Sequence, residues 1–153
     1  WWTTVTDSTG PIQSQTVTLT PGVVAGIAFN LTQTEFNTAQ VNAVQYAGAI
    51  HDYVKRVVPT MTVIDPPVTI VVNLAQTCNA FFSGSSINFY RLGGSCNNTA
   101  TASVVAHEYG HSVDARNGGI GSTPRRNTAT LCTTASSTAA AVPVRGVRVL
   151  RAR

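Results

Sequence analysis

At 153 residues, with 43% hydrophobic and 10% charged side chains, the chain is sized for one domain whose core can fold without metal or disulfide support. No apolar stretch approaches the roughly 20 residues of a membrane-spanning helix, which excludes that class. The sequence opens on Trp1 with neither an initiator Met nor a charged start followed by an apolar run, so a soluble piece of a longer precursor is expected.

The net charge of +4 is unevenly divided. Lys55, Arg56, Arg91 and Arg116 stand against six acids in residues 1–120, whereas residues 121–153 carry six Arg and no acid. The basic character belongs to the C-terminal stretch.

The first thirty residues are rich in Thr and Val. Gln15-Thr16-Val17-Thr18-Leu19-Thr20 alternates, Pro21-Gly22 signals a turn and Val23 to Phe29 follows, so strands and turns are expected here. From Thr34 or Asn37 the pattern changes. Phe36, Val41, Val44, Ala47, Ile50 and Val54 recur every three to five residues up to Pro59, which predicts an amphipathic helix.

Val68-Thr69-Ile70-Val71-Val72 and Ser86-Ile87-Asn88-Phe89-Tyr90 are β-branched or aromatic runs bounded by Pro and Gly, and both read as strands. Thr101 to Arg116 reads as an apolar helix that stops at Asn117-Gly118-Gly119, where glycine can take the left-handed conformation that ends helices. After Ile120 the composition breaks. Residues 121–153 have six Arg, six Ala, no acid and no aromatic, with only a weak alternation from Val142 to Leu150. Two explanations stay open for this segment: a basic tail of low order, or an aberrant or out-of-frame sequence. The expected division is a domain over 1–120 and this tail over 121–153.

Cys78 and Cys96 lie 18 positions apart around a Gly-, Ser- and Asn-rich stretch, and Cys132 stands alone. A sparse charge content and abundant Thr, Ser and Asn suit an extracellular protein, in which a Cys78 to Cys96 disulfide would persist. Closing that loop would stabilise by about 3 kcal/mol on the chain-entropy estimate. The alternative is a pair of free buried thiols.

The chemistry lies in His107-Glu108-Tyr109-Gly110-His111. Residues four apart on a helix project from one face, separated by about 6 Å along the axis, so two imidazoles can reach one ion. Zinc in catalytic sites takes about three protein ligands and keeps a water, and Glu108 is placed to accept that water's proton. The metal would lower the water's pKa and polarise a peptide carbonyl. Asp114 shares the helical face, but it sits about 10 Å along the axis from His107, so an outer role suits it better than ligation. The extension to a third His three residues after a Gly is absent, because Asp114 and Asn117 stand at those places.

Ala39-Gln40-Val41-Asn42-Ala43, His51-Asp52-Tyr53, Cys78-Asn79-Ala80-Phe81-Phe82 and Val104-Val105-Ala106-His107-Glu108-Tyr109-Gly110-His111 occur in an order and spacing that resembles secreted gluzincin peptidases of the thermolysin and fungalysin type, over roughly residues 35–120. The resemblance implies an α+β, zincin-like N-terminal catalytic subdomain. Its parts are a small mixed β-sheet, a long helix and the active-site helix, without the helical C-terminal subdomain. It also implies that Asn79 and Ala80 lie on an edge strand that holds substrate backbone, and that a third ligand, a Glu, follows on a later helix. No Asp or Glu follows Asp114, so an incomplete site is expected.

The resulting expectation is a secreted, monomeric zinc endopeptidase that is cut short. His107 and His111 hold Zn2+, Glu108 is the general base, Asn79 and Ala80 contact a peptide or protein substrate, and the chain is inactive or weakly active. A non-catalytic peptide-binding module with a vestigial metal site is the second reading. The six Arg of the tail are not interleaved with aromatics, and neither a nucleic-acid nor a membrane partner is expected.

Overall fold

The computed structural model describes residues 2–119 and the backbone of 147–151. Its elements, in chain order, are β1 (Thr3–Asp7), β2 (Val24–Ala28), α1 (Glu35–Val57), a 3-10 turn (Thr62–Ile64), β3 (Val68–Leu74), β4 (Ala80–Phe82), β5 (Ser86–Tyr90), α2 (Ala102–Arg116) and β6 (Val147–Arg151).

Helix α1 starts where its sequence supplies a cap. The Thr34 hydroxyl accepts from the Asn37 N–H, Glu35 lies in the first turn and Lys55 and Arg56 in the last, each complementing the helix dipole. Ala39, Gln40, Ala43, Ala47, Ile50 and His51 form its buried stripe. Half of that stripe is alanine, which lets the helix lie close to its neighbours.

The main sheet has the order β1-β3-β5-β4. β1 runs parallel to β3, with Val5 opposite Ile70, and β3 parallel to β5, with Ile70 opposite Ile87. β4 returns antiparallel to β5, with Phe81 opposite Asn88. Their hairpin closes through Ser83 N–H to Ser86 O at 2.9 Å, with Gly84 at φ 84°, a conformation other residues rarely adopt. β4 is therefore an edge. Val68, Ile70, Val72, Ile87 and Phe89 meet the apolar faces of α1 and α2 in one core with Ile50, Ile64, Val105 and Val113. Each such fully buried large side chain contributes about 1.5–3 kcal/mol. The α+β expectation holds, with a small mixed sheet, one long helix and the motif helix; these are the two α-helices among the described residues.

Two local readings change. The alternation over Gln15 to Thr20 is not a strand, and the first strand is β1 instead. Residues 15–20 are largely exposed, and the segment is tied down by a side chain. The Gln13 N–H and Nε2 meet Gln40 Oε1 and Asn37 O, and Gln13 Oε1 accepts from the Asn30 N–H. Alternation without a partner edge does not make a strand. The weak alternation near the C-terminus does coincide with a strand, because β6 pairs antiparallel with β2, Val24 opposite Arg151. The rest of the basic segment, residues 120–146 and 152–153, together with Cys132, lies outside the described residues.

Cys78 and Cys96 are bonded, with Cα atoms 5.1 Å apart, so these two are not free thiols. A polar knot fixes the end of β3. Asn73 is fully buried at φ 58°, donates through Nδ2 to Asp7 Oδ2 at 2.6 Å, and accepts at Oδ1 from Asn98 at 2.8 Å. Asp7 Oδ2 also accepts from Gln40 at 2.6 Å. Asn73→Ala should lose about 3 kcal/mol, from a bond to a charged carboxylate and from left-handed backbone strain. Asn73→Gly, which removes the strain, should lose less. Urea unfolding of both variants checks this, and equal losses would contradict it.

Candidate metal centre

Helix α2 begins with Val105 N–H donating to Thr101 O at 2.8 Å. It ends where Gly118 and Gly119 turn to φ 96° and 70° and the Gly119 N–H reaches back to Asp114 O at 2.8 Å, the glycine stop its sequence predicts. Val105, Ala106, Glu108, Tyr109, Gly110, Ser112 and Val113 are buried. His107 is exposed and His111 half-buried. The helix thus turns its imidazoles outward and is packed on most other sides.

The two rings meet edge to face, centroids 4.6 Å apart at 87°, with Nε2 to Nε2 at 3.0 Å. Two bonds of about 2.0–2.1 Å to one ion require nitrogens less than about 4 Å apart, and these satisfy that. The two Nε2 atoms therefore lie close enough to share one cation. The pair fits zinc as two ligands. Among the described residues no three His, Cys, Asp or Glu side chains are grouped to hold a metal. Beyond Asp114 the sequence contains no Asp, Glu or His.

Glu108 is 6% exposed. Burial pushes its carboxyl above the ordinary carboxylate range, while the neighbouring His107 and His111 charges and a backbone hydrogen bond from Phe82 pull it back. That last contact brings β4 beside the motif. Asn79 O accepts from the Tyr90 N–H at 3.2 Å, and Ser83 N–H bonds Ser86 O at 2.9 Å, so odd-numbered positions face β5. By the antiparallel alternation, the backbone N–H and C=O of Ala80 and Phe82 face away from β5, toward the open edge. The Phe82 backbone lies beside Glu108; the Ala80 groups face the edge. Asn79 is exposed and Ala80 half-buried.

The expected residues are thus brought together on two elements: His107, Glu108 and His111 on α2, and Ala80 on the adjacent edge strand with Asn79 just before it. Asp114 lies further along α2. The open hollow lined by Glu35, Asn42, Asn98 and Thr101 includes none of them. Sequence reasoning missed the Phe82 backbone, since a main-chain donor leaves no mark in side-chain identity.

Residues 4–115 match the catalytic domain of thermolysin metallopeptidases. The chain belongs to the thermolysin metallopeptidase family. No curated protein and no solved structure matched it. Thermolysin metallopeptidases are zinc-dependent and act on peptides, and the thermolysin-type match contains the whole α2 motif through His111 and the whole of β4.

Replacing either imidazole of this pair should weaken zinc binding by at least about a hundredfold, since even changes to groups behind a ligand cost up to that much. His107→Ala and His111→Ala, titrated in competition with a chromogenic chelator, should both lose zinc while His51→Ala does not. Wild-type affinity in either motif variant would rule out the pair.

Proposed function

We propose that residues 1–120 are the motif-bearing part of a secreted zinc endopeptidase domain, that 121–153 are a basic tail or an aberrant, out-of-frame sequence, of which residues 147–151 pair with β2, and that the third metal ligand comes from outside residues 2–119. The observation that carries this reading is the convergence of His107 Nε2 and His111 Nε2 at 3.0 Å beside a buried Glu108, next to an edge strand that Glu108 itself touches through Phe82.

When bound, zinc supplies Lewis acidity to a water and to a peptide carbonyl. The protein side chains do the rest. An extended peptide pairs with the Ala80 backbone as an added strand, and the exposed Asn79 amide is in reach to hold a second backbone group. Pairing fixes the scissile bond alongside α2. Glu108 then takes the proton of the attacking water and passes it to the leaving nitrogen. Its burial suits both halves of that task, because a carboxyl raised above its usual range is a stronger base toward the water and, once protonated, is still acid enough to return the proton to the leaving nitrogen. The Cys78 to Cys96 bridge supports an extracellular location.

The chain as it stands should bind zinc weakly and turn over little peptide. Zinc retained at one equivalent through dialysis would contradict this. In a form of the domain extended after residue 119 by a Glu-bearing helix, Glu108→Gln should keep zinc and lose about 10²–10⁴-fold in peptide hydrolysis. If the extended form neither bound zinc nor cleaved peptide, the peptidase reading would fail.

A peptide-binding module with a vestigial metal site is the second reading, favoured by the absence of a three-ligand group among the described residues. Peptide affinity that is indifferent both to zinc and to His107→Ala would select it.

A further inference from the structure

We propose that Thr99 is a positioning residue: its hydroxyl, together with the Cys78 to Cys96 bridge, latches the start of β4 so that the Ala80 backbone is held open to a peptide beside Glu108. The inference rests on the reading of β4 as the peptide-pairing edge.

β4 is three residues long, too short for its ladder alone to hold it against fraying. Thr99 lies between β5 and α2, two residues before Thr101, the residue that caps α2. Its N–H donates to Tyr90 O at 3.0 Å. Its hydroxyl oxygen accepts from the Tyr90 N–H at 2.8 Å, and the hydroxyl proton is shared between the carbonyls of Asn79 at 3.0 Å and Tyr90 at 3.1 Å. One side chain therefore joins the backbone entering β4, the end of β5 and the approach to the motif helix.

The other side of the latch is covalent. Cys78 sits at φ 66°, which turns the chain so that its sulfur bonds Cys96. Cys96 is held in turn by paired hydrogen bonds with Gly93, at 3.1 and 3.2 Å. A Cβ on Gly93 would lie 2.4 Å from Thr77 Cγ2, so glycine lets this loop lie against the residues that lead into β4. The loop is anchored to the core by Asn98, which donates to Glu35 at 2.9 Å and to Asn73 at 2.8 Å. Asn79 is thus fixed from both sides by the segment 90–99, and Ala80, its neighbour, inherits that position.

Three consequences separate this role from simple packing. Thr99→Val keeps the shape and removes the hydroxyl, leaving Tyr90 N–H and Asn79 O only their mutual contact at 3.2 Å. Thr99→Ser restores the hydroxyl. Reduction of Cys78 and Cys96 with a phosphine loosens the same segment from the opposite side.

The test is amide hydrogen exchange on the 153-residue protein, with a titration by the blocked tripeptide acetyl-Phe-Leu-Ala-amide followed at the Ala80 amide. Thr99→Val should speed exchange at Phe81 and Tyr90 by about tenfold, leave Ile70 and Val72 in β3 unchanged, and weaken peptide binding by a similar factor. Thr99→Ser should recover both, and the phosphine should act in the same direction as Thr99→Val. Wild-type exchange and wild-type peptide affinity in Thr99→Val would overturn the proposal. If Thr99→Val loosened β4 while the wild-type protein did not respond to the peptide, the latch would stand and the peptide-pairing reading of β4 would fall.

Discussion

The site depends on the packing of α2 against β4 and β5, which sets the buried Glu108 carboxyl beside the Phe82 backbone. It joins the two elements that a peptidase must hold in register. The helix presents the His107 and His111 imidazoles and the Glu108 carboxyl, and the edge strand presents the outward backbone groups of Ala80. The packing of α2 on β4 therefore sets where the Glu108 carboxyl lies relative to that open edge.

Other features serve the same geometry at longer range. The buried stripe of α1 brings that helix close enough to pack on both α2 and the sheet. The knot around Asn73 ties β1, α1, β3 and the loop ahead of α2 through a single amide side chain. Such a network is stable because its members satisfy one another; a lone buried Asn or Asp would cost more than it contributes. His51 is a different case. It is buried on α1, stacked against Trp2 at 4.0 Å and near Asp52 and Asp65, which makes it a core histidine and not a third ligand for the motif.

Much of the site was legible in the sequence because its signals are local. The i, i+4 spacing of His107 and His111 fixes a shared helical face whatever the surroundings, and the Gly118-Gly119 stop marks where that helix ends. Thr34, one of the two starts the pattern offered beside Asn37, caps α1, and the β-branched run from Val68 marked β3. The less legible parts are relational. Whether an alternating run becomes a strand depends on a partner edge, which β1 finds on β3 and Gln15 to Thr20 does not. The Phe82 contact and the Thr99 bridge use backbone groups or a common hydroxyl residue, so neither stands out until the chain is folded. The order of the segments around Asn79 and His107 carried the family resemblance, and with it the edge position of β4.

The central claim is that His107 and His111 share one zinc ion at the face that Glu108 and β4 adjoin. Nitrogen-15 NMR of the histidine side chains during zinc addition tests it most directly. The account predicts that the Nε2 resonances of His107 and His111 move together to metal-bound positions while those of His51 stay in place. A response at His51, or none at the motif pair, would contradict it.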